Sequence, residues 1–174
     1  MSRIFFLIPV FVALMAFGAA AQVSFQRDIL KTSQGDIEIT FIGHGSLMFT
    51  FNGRVIHVDP FSQLAEYSKL PKADLLLITH EHGDHLDLKA VEAVRTDKTV
   101  LVLTKTCAAE LKGGIIMENG DTKTVSGLKI EAVPAYNIVH MRSEGVPFHP
   151  NGIGNGYVIT FGDKRVYSER IPER

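Results

Sequence analysis

The sequence predicts an α/β sandwich, two sheets with helices outside them, and three features of its patterning carry that reading. Between Asp36 and Phe51 apolar residues alternate with polar ones (Ile37, Ile39, Phe41, then Leu47, Phe49, Phe51), as antiparallel strands with one buried face do. Two continuous apolar runs follow, Leu75 to Ile78 and Thr99 to Thr104, separated by a stretch of helical spacing. They read as buried parallel strands of a βαβ unit. After a short strand, Ile115 to Gly120, alternating segments return from Thr122 onward, so a second group of antiparallel strands closes the pattern.

The chain has 174 residues, enough for one domain or two small halves around a sizeable core. A net charge of −1 gives no electrostatic argument for a nucleic-acid partner. Cys107 is the sole cysteine, which excludes an intrachain disulfide and a paired-cysteine metal site; in the helical-looking segment Thr106 to Lys112 it reads as a buried apolar thiol. At the N-terminus Arg3 precedes an apolar stretch from Ile4 to Ala21, and Ala19-Ala20-Ala21 stands just before Gln22. This reads as a signal peptide over residues 1–21, with a retained membrane anchor as the competing reading. The expectation is a mature domain over residues 22–174, periplasmic or secreted, with no stable membrane association after cleavage.

The elements follow in order. Gly43-His44-Gly45-Ser46 is a glycine-rich bend between two strands, and Asn52-Gly53 is a strong hairpin signal leading into Arg54 to Val58. His57 alternates with Ile56 and Val58, so its ring is expected to face solvent or to be satisfied in the core. Phe61 to Lys72 has no period and reads as a loop with a helical turn. After Leu86 the apolar residues Leu88, Val91 and Val94 predict a helix to Arg95. Thr122 to Val125 and Leu128 to Val133 pair across Ser126-Gly127, Asn151 to Gly156 reads as a flexible loop, and Gly156 to Phe161 pairs with Arg165 to Tyr167 across Gly162-Asp163.

The strand Leu75 to Ile78 ends in Thr79-His80-Glu81-His82-Gly83-Asp84-His85, at the handover from strand to helix, where α/β sheets bind ligands. His80 and His82 are two residues apart, so in extended chain their rings leave on one side and can share a cation; Glu81 points the other way. Gly83 permits a tight turn, after which Asp84 and His85 can be aimed separately. Two imidazoles plus a carboxylate–imidazole pair suit Zn²⁺ or another divalent metal, as one ion or two.

His80-Glu81-His82-Gly83-Asp84-His85 resembles the His-x-His-x-Asp-His signature of the metallo-β-lactamase superfamily. Gly43-His44-Gly45-Ser46 followed by Val58-Asp59-Pro60 looks like its ascorbate-phosphate-lactonase-like branch. The resemblance implies the αββα fold, with His80 and His82 on one metal and Asp84 and His85 on the other. It gives Asp84 a further catalytic part, orienting the nucleophile and carrying a proton. His44 and Asp59 are then expected to flank the site, with Asp59 a possible metal or substrate contact. In much of the superfamily a Pro-Ala-x-His stretch supplies a third histidine, but this sequence reads Pro134-Ala135-Tyr136-Asn137. Asn137 is a poor substitute at zinc, and His140 and His149 are candidates to fill the place, to line the substrate pocket, or to be plain loop histidines.

A Gly-Asp-Thr-type element, whose aspartate bridges both metals, is expected after the last strand; the sequence has Ser168-Glu169 there. The resemblance thus implies a second half that is incomplete. The implied function is a secreted metal-dependent hydrolase that uses a metal-activated hydroxide on an ester, lactone, amide or phosphodiester of a small-molecule substrate. The alternative is a metal-binding remnant without turnover, and a weaker third reading is a zinc buffer. Substrate and oligomeric state stay open.

Overall fold

A computed structural model describes residues 24–139 and 141–168; the signal-peptide reading, His140 and Glu169 lie outside these residues. Two sheets face each other. The larger has seven strands in sequence order: β1 (Gln26–Thr32), β2 (Gly35–Gly43), β3 (Ser46–Phe51), β4 (Arg54–Val58), β5 (Leu75–Leu77), β6 (Val100–Leu103) and β7 (Ile115–Ile116). Its first four are antiparallel and β4 to β7 are parallel. The smaller sheet is antiparallel in the order β13-β12-β9-β8, from β8 (Thr122–Val125), β9 (Leu128–Ala135), β12 (Gly154–Phe161) and β13 (Lys164–Ser168). A separate small hairpin joins β10 (Met141–Ser143) to β11 (Val146–Pro147).

The period of two explains why β5 and β6 are continuously apolar. Leu75, Leu77 and Val102 point into the core between the sheets, against Ile130, Tyr157, Ile159 and Phe161. Leu76, Ile78, Leu101 and Leu103 point the other way, into a second core with α1 (Leu88–Val94) and α2 (Cys107–Glu110). Both faces of these strands are covered, so neither has a polar side. Both helices lie on this outer face of the larger sheet. The outer face of the smaller sheet presents Lys129, Glu131 and Arg165, joined by ion pairs, and no described helix covers it. Among the described residues no helix is long and apolar enough to cross a membrane.

Helix α1 starts where Asp87 caps it, its Oδ1 accepting from the N–H groups of Lys89 and Ala90. Its buried residues are Ala90, Val91 and Val94, whereas Leu88 is exposed, so the spacing that includes Leu88 is one residue off the true face. Asn52-Gly53 turns with both residues at positive φ, the geometry that suits the right-handed twist of a hairpin.

Three elements depart from the sequence reading. β1 is an exposed, largely polar edge strand, and without a buried face it leaves no alternation to detect. The hairpin β10–β11 forms in a stretch for which the sequence patterning gives no element. The glycine-rich run is a turn only up to Ile153: β12 begins at Gly154, and its glycines are close-approach positions. A Cβ on Gly156 would lie 2.7 Å from the Tyr167 ring.

Two buried groups are held out of their usual ionisation range. Cys107 is buried and receives the Thr104 hydroxyl at 3.1 Å, and burial pushes the thiol up to about 11, as an inert core thiol. His57 is buried in the core and only half satisfied: its Nε2–H donates to the Pro71 carbonyl at 3.0 Å, Nδ1 has no hydrogen-bond partner among the described residues, and burial lowers its pKa from 6.5 to about 4. A histidine depressed in the folded state costs nothing above pH 6.5, where both states are neutral. Between 6.5 and 4 the unfolded chain takes up a proton that the native one refuses, so stability falls with pH. His57→Gln, titrated with urea in chelator at pH 7 and pH 4.5, should recover most of a loss of about 3 kcal/mol; equal acid sensitivity in both proteins would refute this account.

Candidate metal centre

The metal-ligand candidates converge at the carboxyl end of the parallel strands. Beyond β5 the chain keeps its register for one residue, Ile78 N–H donating to Val102 C=O at 2.9 Å. It then coils tightly, with the N–H groups of His85 and Leu86 both bonded to the His82 carbonyl. Gly83 is not what makes the turn possible: its φ is not positive, and a Cβ there would meet nothing within 4 Å. The glycine that makes room is Gly45, where a Cβ would stand 2.7 Å from His85 Cε1.

His80, His82 and His149 form one cluster, with ligand atoms within 4.8 Å of one another. His149 Nε2 lies 2.9 Å from His82 Nδ1, across 67 residues of sequence. It is His149, and not Asn137, that stands beside His80 and His82, and Asn137 has a different task. Its Oδ1 accepts from both the N–H and the Nδ1–H of His149, at 3.0 and 2.7 Å, and its own N–H donates to the His149 carbonyl. An amide oxygen can only accept, so the proton of His149 sits on Nδ1 and Nε2 faces the cluster.

A second cluster, His44, Asp84 and His85, meets the same distance criterion, as does the overlapping set Asp59, His80 and His85. Asp59 is buried, and its oxygens are already engaged. Oδ1 accepts from the Thr79 N–H at 2.8 Å, and Oδ2 from the Thr79 hydroxyl at 2.5 Å and His85 Nδ1–H at 2.8 Å. Because the Thr79 hydroxyl gives its proton to Asp59, its oxygen receives His80 Nδ1–H at 2.9 Å. Both histidines therefore carry their proton on Nδ1 and aim Nε2 at the site. Asp59 acts behind the imidazoles.

Glu81 is turned away as its position suggests, accepting from the Thr106 hydroxyl at 2.9 Å. For Asp84, partial burial works against ionisation, but His85, its own backbone N–H and His44 outweigh it and hold the carboxyl below its ordinary pKa. It is a carboxylate at neutral pH. A recess of about 310 Å³ is lined by Thr104, Lys105, Thr106, Met117, Glu118, Gly152, Ile153 and Asn155. Two of these residues are tied to the metal loop, Thr106 through Glu81 and Asn155 through its N–H to the Thr79 carbonyl.

Three or more neutral imidazoles with a carboxylate are the donor set that suits borderline divalent cations. The residues present therefore fit a metal. The sequence reading sets His44 and Asp59 beside the site, through the Gly-His and Asp-Pro elements; it does not give the orienting parts of Asp59, Thr79 and Asn137 or the contact of His44 with Asp84.

Comparison with known proteins agrees with this geometry. Residues 38–169 match the family described as the beta-lactamase superfamily domain. A UPF0173 metal-dependent hydrolase of Methanoculleus marisnigri is 32% identical over 75% of this chain and 56% of its own length. One from Thermococcus onnurineus is 33% identical over 75% of this chain and 59% of its own. Among solved structures, a protein of Parabacteroides distasonis inferred to be a metal-dependent hydrolase aligns with a TM-score of 0.78 at 48% identity, over 83% of this chain and 66% of its own. A metallo hydrolase of Ignicoccus hospitalis shares the fold at 22% identity, with a TM-score of 0.59 over 77% of this chain and 60% of its own. The chain thus spans less than two thirds of the length of these relatives. With the signature in the loop after β5, the two facing sheets and a match over most of its length, this chain belongs to the metallo-β-lactamase superfamily.

Proposed function

We propose that the protein is a metal-dependent hydrolase of a small-molecule ester, lactone, amide or phosphodiester. The observation that carries this reading is the convergence of His80, His82 and His149 from chain segments 67 residues apart, with each supporting group acting behind the ring nitrogens. These three would hold one ion, and Asp84 and His85 a second. Zinc suits the donors best, other divalent ions less well. Bound there, such an ion supplies Lewis acidity and brings the pKa of a water down to about 7.

The chain's own residues supply the rest. Asp84, ionised and half-exposed at the mouth of the cluster, can orient an attacking water and take its proton on a carboxylate oxygen. The recess next to Thr106 and Asn155 is lined by hydroxyl, amide and ammonium donors, by the Glu118 carboxylate and by Met117 and Ile153, so it can hold a substrate with a polar and an apolar part. The bend Gly43 to Ser46 supports lactone or phosphoester substrates over antibiotics, by resemblance. The N-terminal signal pattern supports action in a periplasm or outside the cell.

Elemental analysis of the purified protein should find close to two ions per chain, and His82→Ala should retain its fold while losing turnover of a generic ester or phosphodiester by at least about a hundredfold. Unchanged turnover would remove His82 from the site, and metal-binding without any turnover in wild type would favour the remnant or buffer readings.

Asp59→Asn tests the support of the rings. The change keeps the shape but replaces a carboxylate that has three donors with an amide that opposes one of them. Metal affinity, measured by chelator competition, should fall about 10- to 100-fold, and metal-free stability by about 2 kcal/mol or more. Affinity within a factor of two of wild type would show that Asp59 does not orient the ligands.

A further inference from the structure

The metal reading above assigns the second ion only two protein ligands, Asp84 and His85. We infer that His44 is a third, and that His44, Asp84 and His85 together form a three-donor cation site.

The backbone around His44 is built at a cost. His44 itself has φ +52, in the left-handed region that side chains other than glycine rarely adopt, and Gly43 before it has φ +135. Gly45 after it packs so close to His85 that a Cβ would lie 2.7 Å from Cε1 and 3.2 Å from Nδ1. Ser46 then pins the bend, its hydroxyl donating to the Asp59 carbonyl at 2.5 Å. These constraints press the bend onto the His85 ring and set the His44 ring 5.1 Å from it, centre to centre.

The donor atoms are placed accordingly. His44 Nε2 is 2.9 Å from Asp84 Oδ2, and the same oxygen is 3.9 Å from His85 Nε2. His85 Nδ1 is committed to Asp59, so Nε2 is the nitrogen that faces Asp84. Two imidazole nitrogens and one carboxylate oxygen therefore surround one point, outside the cluster of His80, His82 and His149. A plain His44–Asp84 ion pair is a weaker account. Both side chains are more than a third exposed or close to it, at 34% and 38%, and pairs so placed contribute little stability. They would not explain a left-handed histidine between two glycines.

This inference rests on the proposed metal-dependent function, and the test separates the two. Asparagine tolerates the left-handed backbone and cannot replace an imidazole ligand, so His44→Asn isolates the donor. Wild type and variant, purified as full chains, are titrated with Co²⁺, followed by visible absorption and by proton NMR of the hyperfine-shifted, exchangeable imidazole N–H signals. Wild type should take two ions. His44→Asn should bind the first as before, bind the second at least tenfold more weakly, and lose one of those N–H signals. A role confined to hydrogen-bonding Asp84 would leave the set of shifted signals complete, and that result, or an unchanged second affinity, overturns the proposal. One ion in wild type also overturns it. No ion at all overturns the metal reading with it, whereas loss of the first ion in His82→Ala beside a silent His44→Asn leaves that reading standing.

Discussion

Asp59 is a buried carboxylate with no cation beside it in sequence, and its neutralisation by donors organises both the fold and the site. Its N–H bonds to the Leu77 carbonyl, its carbonyl receives the Ser46 hydroxyl, and its carboxylate receives Thr79 twice and His85 once. An ionised group in the interior is tolerated only when so many donors converge on it. The same donors are the residues that begin and end the metal-ligand loop. The interactions that keep a charge in the core are therefore those that set the proton of His80 and His85 on Nδ1. Stability and ligand geometry have a common cause here.

The two sheets contribute unequally to the centre, and the joint between them is specific. The larger sheet carries the whole signature loop after β5. The smaller sheet reaches it through β12: Tyr157, fully buried, donates its hydroxyl to the Ile78 carbonyl at 2.9 Å, and Asn155 N–H donates to the Thr79 carbonyl at 2.9 Å. Burial raises the Tyr157 pKa, so this hydroxyl remains a donor at any ordinary pH. Asn155 also bonds the Met117 carbonyl and Asn119, which fixes the loop between β7 and β8. The backbone that delivers His80 is thereby clamped from the opposite sheet.

Much of this was legible in the sequence because it is local. The apolar runs of β5 and β6, the turns at Asn52-Gly53 and Ser126-Gly127, and the spacing of His80, His82, Asp84 and His85 each follow from residues within a few positions of one another. What could not be read has long reach. Asp59 meets His85 across 26 residues and His149 meets His82 across 67, and no local pattern encodes either contact. Asn137 illustrates the difficulty. Judged as a ligand it looks like a loss, because an amide oxygen serves zinc poorly. Once the fold brings His149 beside it, the same oxygen becomes the group that fixes a ring. β1 escaped notice for the opposite reason: exposed on its edge, it has no buried face to impose a pattern.

The placement of His149 carries a further consequence for how the molecule holds together. His80 and His82 belong to the larger sheet, while His149 lies between β9 and β12 of the smaller one and is anchored at the end of β9 by Asn137. An ion shared by these three rings would be a crosslink between the sheets, at the end of the sandwich opposite the turn at Asn52-Gly53. Asn137 and His149 are the two feet of the β10–β11 segment, so an ion on His149 would hold that segment as well. Metal binding energy is to that extent folding energy.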